Sequence, residues 1–206
     1  MTKPDPLRYS QYYHIYNRGN NREILFREVR NYQYFLKLYT NYITPVAETY
    51  AYCLMSNHFH LLVGIKEYEE CKNVCQTFND WQAYREVYPS RAFSKMFSTY
   101  TKAFNKSFQR TSSLFEKPFR HRLVVDDQYF ITLITYIHQN PQMHGFVDDF
   151  RDWPFSSYPA IVSDKATRVQ RDIVLDWFGG RTGFEELHQT EVNESNIDPL
   201  EDWLSL

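Results

Sequence analysis

Two histidines separated by a single residue, His58 and His60, are the sharpest chemical feature of the sequence. They open the segment HFHLLVGI, whose apolar and β-branched residues follow a turn-forming pair and predict a strand. Side chains two residues apart in a strand point to the same face of a sheet, so both imidazoles would project side by side. Two neutral imidazoles at this spacing can bind one divalent cation. A pair of partly buried histidines bonded to the backbone would give the same pattern.

A tyrosine and an asparagine, Tyr136 and Asn140, form a second candidate group within the segment TYIHQNP. Their spacing of four stacks them on one side of a helix, and a helical wheel places both at the polar margin. The same wheel turns His138 away from them. A tyrosine hydroxyl can act as a nucleophile, and an asparagine carbonyl can ligate a hard cation. The alternative is that Tyr136 only packs, because the chain contains 17 tyrosines.

A basic amphipathic helix is predicted from residue 91 to residue 110, with Ser90 as its N-cap. One face would carry Phe93, Phe97, Tyr100 and Phe104, and the opposite face would form a cationic stripe about 22 Å long. A strand region with further cations follows at residues 114–125. The candidate contacts to a nucleic-acid backbone are Arg91, Lys95, Lys102, Lys106, Arg110, Arg120 and Arg122.

The charge of the chain is unevenly distributed along its length. The formal net charge of -2 combines a block of +7 in residues 81–125 with a block of -10 in residues 126–206. A basic middle followed by an acidic end favours a surface that binds a polyanion and a later segment that does not share it. A solvated charged face would show the same distribution.

The composition excludes several classes of protein. Hydrophobic residues make up 43% of the chain and aromatic residues 18%, which is typical of a packed globule rather than a disordered chain. The mean hydropathy is -0.59, and no apolar run approaches the roughly 20 residues that span a bilayer. Three cysteines cannot build a disulfide framework, and the first residues lack the apolar stretch of a secretory signal. We therefore expect a soluble, cytoplasmic protein.

Strands and helices alternate along the sequence. The pattern predicts strands at residues 12–17 and, as a pair, at residues 49–65, and helices at residues 27–43, 78–84, 126–139 and 169–178. Asp126 or Asp127 is expected to cap the 126–139 helix, and Asn140-Pro141 and Gly145 are expected to end it. An α+β fold, with an antiparallel sheet covered on one face by helices, is the simplest packing of these elements.

Taken in order, the motifs resemble those of the HUH single-tyrosine transposases, in which U denotes a hydrophobic residue. Within that group they are most similar to the REP-associated tyrosine transposases of bacteria. The matching segments are YHIYNRGNNREILF, HFHLLV, FSKMFSTYTKAFNKSF, LFEKPFRHRLV, YIHQNP and WPFSSY. On this resemblance, residues 9–160 form the catalytic domain, with an insertion at residues 66–89, and residues 161–206 form an acidic C-terminal appendage.

The resemblance implies a ferredoxin-like fold with the histidine pair on a central strand. It also implies cutting of single-stranded DNA beside palindromic hairpins, through tyrosine attack that leaves a 5′-phosphotyrosine link and a free 3′-OH. By the same resemblance, His58, His60 and Asn140 become ligands of Mg²⁺ or Mn²⁺, and Tyr136 becomes the nucleophile. The implied partner is single-stranded or hairpin DNA of the bacterial nucleoid, with no membrane partner. A homodimer remains an alternative to a monomer.

The sequence departs from the family pattern in three places. The segment NPQMHG stands where the family commonly has NPVRAG, the C-terminal part is acidic, and the 66–89 segment is long. These departures leave the residues of the metal–tyrosine core untouched. A catalytically idle module of the same fold that binds DNA hairpins for regulation is a second hypothesis, and the intact His58, His60, Tyr136 and Asn140 argue against it. A zinc hydrolase that uses the same histidines is a third alternative, but the motif offers no nearby Glu or Asp as a general base.

Overall fold

A four-stranded antiparallel sheet forms the centre of the computed structural model, which describes residues 5–77, 89–192 and 197. The strands are β1 (Tyr12–Arg18), β2 (Ala47–Leu54), β3 (His58–Ile65) and β4 (Arg120–Leu123), in the spatial order β2-β3-β1-β4. One α-helix connects β1 to β2, and two α-helices lie in the described part of the segment between β3 and β4. The order and the connections confirm the ferredoxin-like α+β fold, with the histidine pair on a central strand.

Seven α-helices are present in the described part of the chain. They are α1 (Val29–Tyr42), α2 (Tyr68–Thr77), α3 (Pro89–Ser107), α4 (Asp127–Met143), α5 (Tyr158–Val162), α6 (Arg171–Trp177) and α7 (Arg181–Leu187). The predicted strands and the three long predicted helices are confirmed. The helix predicted at residues 78–84 lies outside the described residues. Ser90 lies inside α3, so its assignment as the N-cap is wrong; its hydroxyl instead accepts a hydrogen bond from the Leu7 amide at 3.0 Å.

One face of the sheet packs against α1 and α3 through aromatic rings. Phe59 points to this face from β3, and its ring lies 5.3 Å from the ring of Phe35 in α1 and 5.5 Å from that of Phe97 in α3. Phe93, Phe97, Tyr100 and Phe104 are all buried there, as the helical wheel of α3 predicts. Each such ring stabilises the fold by roughly 1.5–3 kcal/mol of apolar burial.

The opposite face of the sheet is covered as well, so the prediction that helices cover only one face is wrong. Here α4 packs on β2 and β3, and helices α5 to α7 pack against the outer side of α4. Every residue of α4 from Leu133 to Pro141 is consequently buried. The continuous burial of β3 follows from the same arrangement, because both of its faces lie in cores.

The ends of α4 fix its position on the sheet. Asp126 is its N-cap, and its carboxylate accepts a hydrogen bond from the Tyr129 amide at 2.7 Å. The helix continues through Pro141, so the predicted end at Asn140-Pro141 is wrong. It ends at Met143, and Gly145, the other predicted terminator, lies in the turn that follows. The φ of 68° at Gly145 lets the amides of Gly145 and Phe146 bond back to the last turn. No helix in the described residues is long and apolar enough to cross a bilayer.

Candidate functional site

Both histidines of the HxH motif project from β3 toward α4. Across the antiparallel pair, His58 lies opposite Arg18 and His60 lies opposite Tyr16, so these four side chains share one face of the sheet. The two imidazole rings have centroids 5.3 Å apart, and both side chains are buried. The side-by-side projection predicted from the alternation of the strand is therefore present.

Helix α4 brings Tyr136 and Asn140 to the same place. The carboxamide oxygen of Asn140 lies 3.3 Å from Nε2 of His58. The ring of Tyr136 stands edge-on to that of His60, with centroids 5.6 Å apart. Two local pairs of residues, which lie about eighty positions apart in the sequence, thus form one cluster. We call His58, His60, Tyr136 and Asn140 the histidine–tyrosine cluster.

The cluster is more deeply enclosed than the helical wheel predicts. Tyr136 and Asn140 are each 0% exposed, so the prediction that they lie at a polar margin of the helix is wrong. The wheel assumed that one side of α4 faces solvent, whereas the sheet covers one side and α5 to α7 cover the other. His144 and Phe146, in the turn after α4, lie over the ring of His58 at 5.1 and 6.5 Å.

Burial sets the protonation of the imidazoles in the cluster. It lowers the pKa of His58 to about 3, with smaller lowering by His144 and a partly opposing effect of the contact with Asn140. Burial also lowers the pKa of His60 well below 6.5, and the neighbouring His14 lowers it further. Both rings are therefore neutral near pH 7, which is the form that binds a metal ion.

The donor set of the cluster fits a divalent cation. Asn57 holds His58 by a 2.7 Å contact between its carboxamide oxygen and Nδ1, which leaves Nε2 of His58 facing the oxygen of Asn140. Nε2 of His60 is buried and has no hydrogen-bond partner among the described residues. Two imidazole nitrogens and one amide oxygen suit Mn²⁺ at least as well as Mg²⁺, which prefers oxygen ligands. Within the described ranges, no set of three or more His, Cys, Asp or Glu side chains is arranged for a metal ion.

His14 is a neighbour of the cluster that the sequence interpretation missed. It lies on β1, is 0% exposed, and its Nε2 is 2.9 Å from Nδ1 of His60. Its ring also stacks on Tyr16 and stands edge-on to Tyr136. The alternation of the predicted strand at 12–17 could have placed His14 and Tyr16 on one face. Their position beside His60, however, depends on the pairing of β1 with β3.

The cationic stripe of α3 lies on the other side of the sheet from the histidine–tyrosine cluster, because α3 packs against the Phe59 face. Arg91, Lys95, Lys102 and Lys106 are all exposed. Arg91 and Lys102 line a groove of about 1400 Å³ between α3 and residues 112–121, together with serine and threonine hydroxyls. Lys95 instead lies 5.8 Å from the ring of Tyr42 in α1. Whether these cations contact DNA remains a prediction.

The other three predicted DNA contacts differ in their surroundings. Arg110 forms an ion pair with Glu23 at 3.1 Å and donates to the side chain of Asn105, so it already has protein partners. Arg120 and Arg122 lie on β4 opposite Tyr16 and His14, and thus on the same sheet face as the cluster. The guanidinium of Arg122 donates to the carbonyl of Ile197 and lies 5.0 Å from the ring of Tyr129.

A buried chain of hydrogen bonds joins α4 to the C-terminal helices. Nδ1 of His188 lies 2.7 Å from the carbonyl of Phe184, and a carbonyl can only accept, so the proton of His188 is on Nδ1. Nε2 of His188 must then accept from Nδ1 of His138 at 2.8 Å. Nε2 of His138 in turn accepts from the hydroxyl of Ser157 at 2.7 Å. We call His138, His188 and Ser157 the histidine relay. It anchors α4 at His138, whose side chain leaves the helix on a different side from those of Tyr136 and Asn140.

Comparisons with known proteins agree with the motifs. No protein-family model matches the chain. A curated Haemophilus influenzae protein, provisionally named a REP-associated tyrosine transposase, is 32% identical over 112 residues; the match covers 54% of this chain and 58% of that protein. A solved structure, titled as a REP-associated tyrosine transposase bound to a REP hairpin, matches with a TM-score of 0.58 and 16% identity over 80% of this chain and 86% of the other. The resemblance to REP-associated tyrosine transposases is confirmed, and the structural match confirms the fold.

Proposed function

We propose that this chain, a relative of REP-associated tyrosine transposases, is a metal-dependent enzyme that nicks and joins single-stranded DNA at palindromic hairpins. The observation that supports this most is the meeting of Tyr136 with His58, His60 and Asn140 in one cluster. A nucleophile and a set of metal-ligand groups are what phosphoryl transfer to a side chain requires. DNA transposition in the bacterial nucleoid would be the corresponding cellular process.

The tyrosine would carry the covalent step. Its Oη attacks the scissile phosphorus, a P–O bond to Tyr136 forms, and the P–O3′ bond of the DNA breaks. The proton of the phenol is lost and the leaving 3′ oxygen gains one, which yields a 5′-phosphotyrosine and a free 3′-OH. Attack by the 3′-OH of a second strand on the same phosphorus reverses the chemistry, releases Tyr136 and joins the strands. No oxidant or energy source is needed, because one phosphodiester replaces another.

The surrounding side chains would prepare the phosphate for attack. His58, His60 and Asn140 would hold a Mg²⁺ or Mn²⁺ ion, which when bound would neutralise charge on the phosphate oxygens. Both histidines are neutral because burial lowers their pKa, so no proton must leave them before a metal ion binds. The ring of Tyr136 is fixed edge-on against His60, which limits the orientations that its hydroxyl can adopt.

Access to Tyr136 requires movement of its surroundings. With the tyrosine 0% exposed, a phosphate can reach its hydroxyl only if covering groups move aside. The turn that contains His144 and Phe146 is a suitable element, because it lies over His58 and follows the end of α4 directly. Displacement of this turn would open the cluster from the His58 side and leave the sheet intact.

The burial of Tyr136 also favours a second function. A module that binds DNA hairpins through its exposed cations and keeps the tyrosine enclosed would act as a catalytically idle regulator. The groove beside Arg91 and Lys102 would serve such a module equally well. The two functions differ in one product, the covalent link between protein and DNA.

Covalent trapping separates the two functions. Labelled single-stranded DNA that contains a hairpin is incubated with the protein and Mn²⁺ and then resolved on a denaturing gel. We expect an adduct with wild type and with the matched control Tyr129→Phe, two turns earlier on α4, and none with Tyr136→Phe. We expect Asn140→Ala to reduce the yield less than His58→Ala, because one neutral oxygen ligand contributes less than an imidazole. Hairpin binding by wild type without any adduct would support the idle module instead.

A further inference from the structure

In both His58 and His60, Nδ1 is the ring nitrogen that contacts a neighbouring side chain. Nδ1 of His58 contacts the carboxamide oxygen of Asn57 at 2.7 Å, and an oxygen of this kind can only accept. The proton of His58 is therefore on Nδ1, and its Nε2 carries a lone pair. Nδ1 of His60 likewise has a side-chain partner, which is Nε2 of His14 at 2.9 Å. Each histidine of the pair thus has Nδ1 engaged by a neighbour.

Two tautomers satisfy the contact between His14 and His60. In the first, Nδ1–H of His60 donates to His14, and Nε2 of His60 carries a lone pair. In the second, Nε2–H of His14 donates to His60, and Nε2 of His60 carries a proton. Each tautomer leaves one N–H without an acceptor in the described part of the chain, Nδ1–H of His14 in the first and Nε2–H of His60 in the second, so what distinguishes them is the nitrogen that is left for a ligand. Only the first tautomer leaves a ring nitrogen of His60 able to ligate a cation, because its Nδ1 is occupied in both.

We infer that His14 is a positioning residue that holds His60 with its proton on Nδ1 and directs the lone pair of Nε2 at the metal site. His14 is suited to this role because its ring is fixed from several sides. It is fully buried, it stacks on Tyr16 with centroids 4.7 Å apart, and it stands edge-on to Tyr136. A ring that cannot turn offers its Nε2 to His60 in one orientation.

The surroundings of His14 also keep it neutral, which the role requires. A protonated His14 could not accept from His60, because both of its nitrogens would then be donors. His14 is fully buried, and a charged ring is disfavoured in such a place without a partner of opposite charge. Arg122 lies directly opposite His14 in the β1–β4 pairing. The inference extends the proposed function, since it assigns a third histidine to the preparation of the same metal site.

Nuclear magnetic resonance of the metal-free protein tests the assignment without catalysis. Long-range ¹H–¹⁵N spectra of ¹⁵N-histidine-labelled protein in chelator report which ring nitrogen carries the proton, and His60→Gln identifies the signals of His60. We expect wild-type His60 to be protonated on Nδ1. We expect His14→Phe, which keeps a ring against Tyr16 but removes the acceptor, to shift the proton to Nε2 or to a mixture. Asn57→Ala is the matched control and should alter His58 while leaving His60 unchanged.

Calorimetric titration with Mn²⁺ then measures the consequence for the site. His14→Phe should weaken Mn²⁺ binding by roughly 10–100-fold, as the loss of groups that orient metal ligands commonly does. His14→Gln should restore part of the affinity, because its carboxamide oxygen can accept from His60. A wild-type His60 protonated on Nε2, or an unchanged tautomer in His14→Phe, would overturn the inference. A wild-type protein that binds no Mn²⁺ would refute the metal part of the proposed function, while the metal-free spectra would still decide the role of His14.

Discussion

Acid should destabilise the fold through His188, the end of the histidine relay. His188 is 1% exposed, donates from Nδ1 to the carbonyl of Phe184 and accepts at Nε2 from His138. A proton added to Nε2 would face the N–H of His138 and remove this hydrogen bond. Burial lowers the pKa of His188 from 6.5 to about 4, although the bond to Phe184 partly opposes the shift.

The sign of this pH effect on stability depends on whether the folded or the unfolded chain protonates His188 at the higher pH. Because the folded pKa lies below the unfolded one, the unfolded chain takes up the proton at higher pH than the folded chain does. The contribution of His188 to stability is therefore complete above pH 6.5 and is lost as the pH falls toward 4. The difference between a pKa of 6.5 in the unfolded chain and about 4 in the folded chain corresponds to a contribution of about 3 kcal/mol to the free energy of unfolding. About 2 kcal/mol of this contribution is lost by pH 5.

Urea unfolding at pH 7.5 and pH 5, followed by tryptophan fluorescence, measures this contribution. The free energy of unfolding of wild type falls between the two pH values, and in His188→Gln the fall should be smaller by about 2 kcal/mol. His121→Gln is a control with a smaller expected effect. Because His121 is only half-buried, its substitution should change the fall in unfolding free energy between the two pH values less than His188→Gln does. An equal fall in wild type and His188→Gln would show that His188 is not held neutral, and the relay as drawn would be incorrect.

Two further predictions concern the Phe59 face of the sheet and the groove. Lys102→Gln should reduce the steepness of log affinity against log salt for hairpin DNA by about 0.7–0.9, depending on whether the lost contact is to the single-stranded or the duplex part, as measured by fluorescence anisotropy. Lys37→Gln, an exposed position on α1, should leave the slope unchanged, and equal slopes in wild type and Lys102→Gln would remove Lys102 from the interface. Tyr100→Phe removes a buried 2.6 Å hydrogen bond to the carbonyl of Leu25 and should cost about 1–2 kcal/mol in urea unfolding, whereas unchanged stability would show that this bond contributes nothing net.

Local patterns were sufficient for much of the site. The alternation of β3 predicts that His58 and His60 project together, and the structure has them on one face. The spacing of Tyr136 and Asn140 predicts one side of a helix, and both meet the histidine pair there. The wheel also turns His138 away from that side, where it joins the relay. These predictions succeed because each depends only on the geometry of a single strand or helix.

The parts that could not be predicted depend on packing between distant segments. The burial of Tyr136 arises because α5 to α7 cover the outer side of α4, and nothing within α4 encodes this. The contact of His14 with His60 spans 46 positions and depends on the register between β1 and β3. Pro141 reads as the end of a helix, yet α4 continues past it. Residues 161–192 read as an acidic appendage by charge, although their apolar side chains pack on α4.

The histidine relay can form only near the end of synthesis of the chain, because it joins His138 to His188. A ribosome delivers the chain from the N-terminus, so all four strands and both helices of the Phe59 face exist before α7 emerges. His138 meets its acceptor only when His188, fifty positions later, has been made. The face that holds Tyr136 is therefore the last to close. A chain released early would carry a finished sheet and a finished cationic surface, but a tyrosine helix without its outer support.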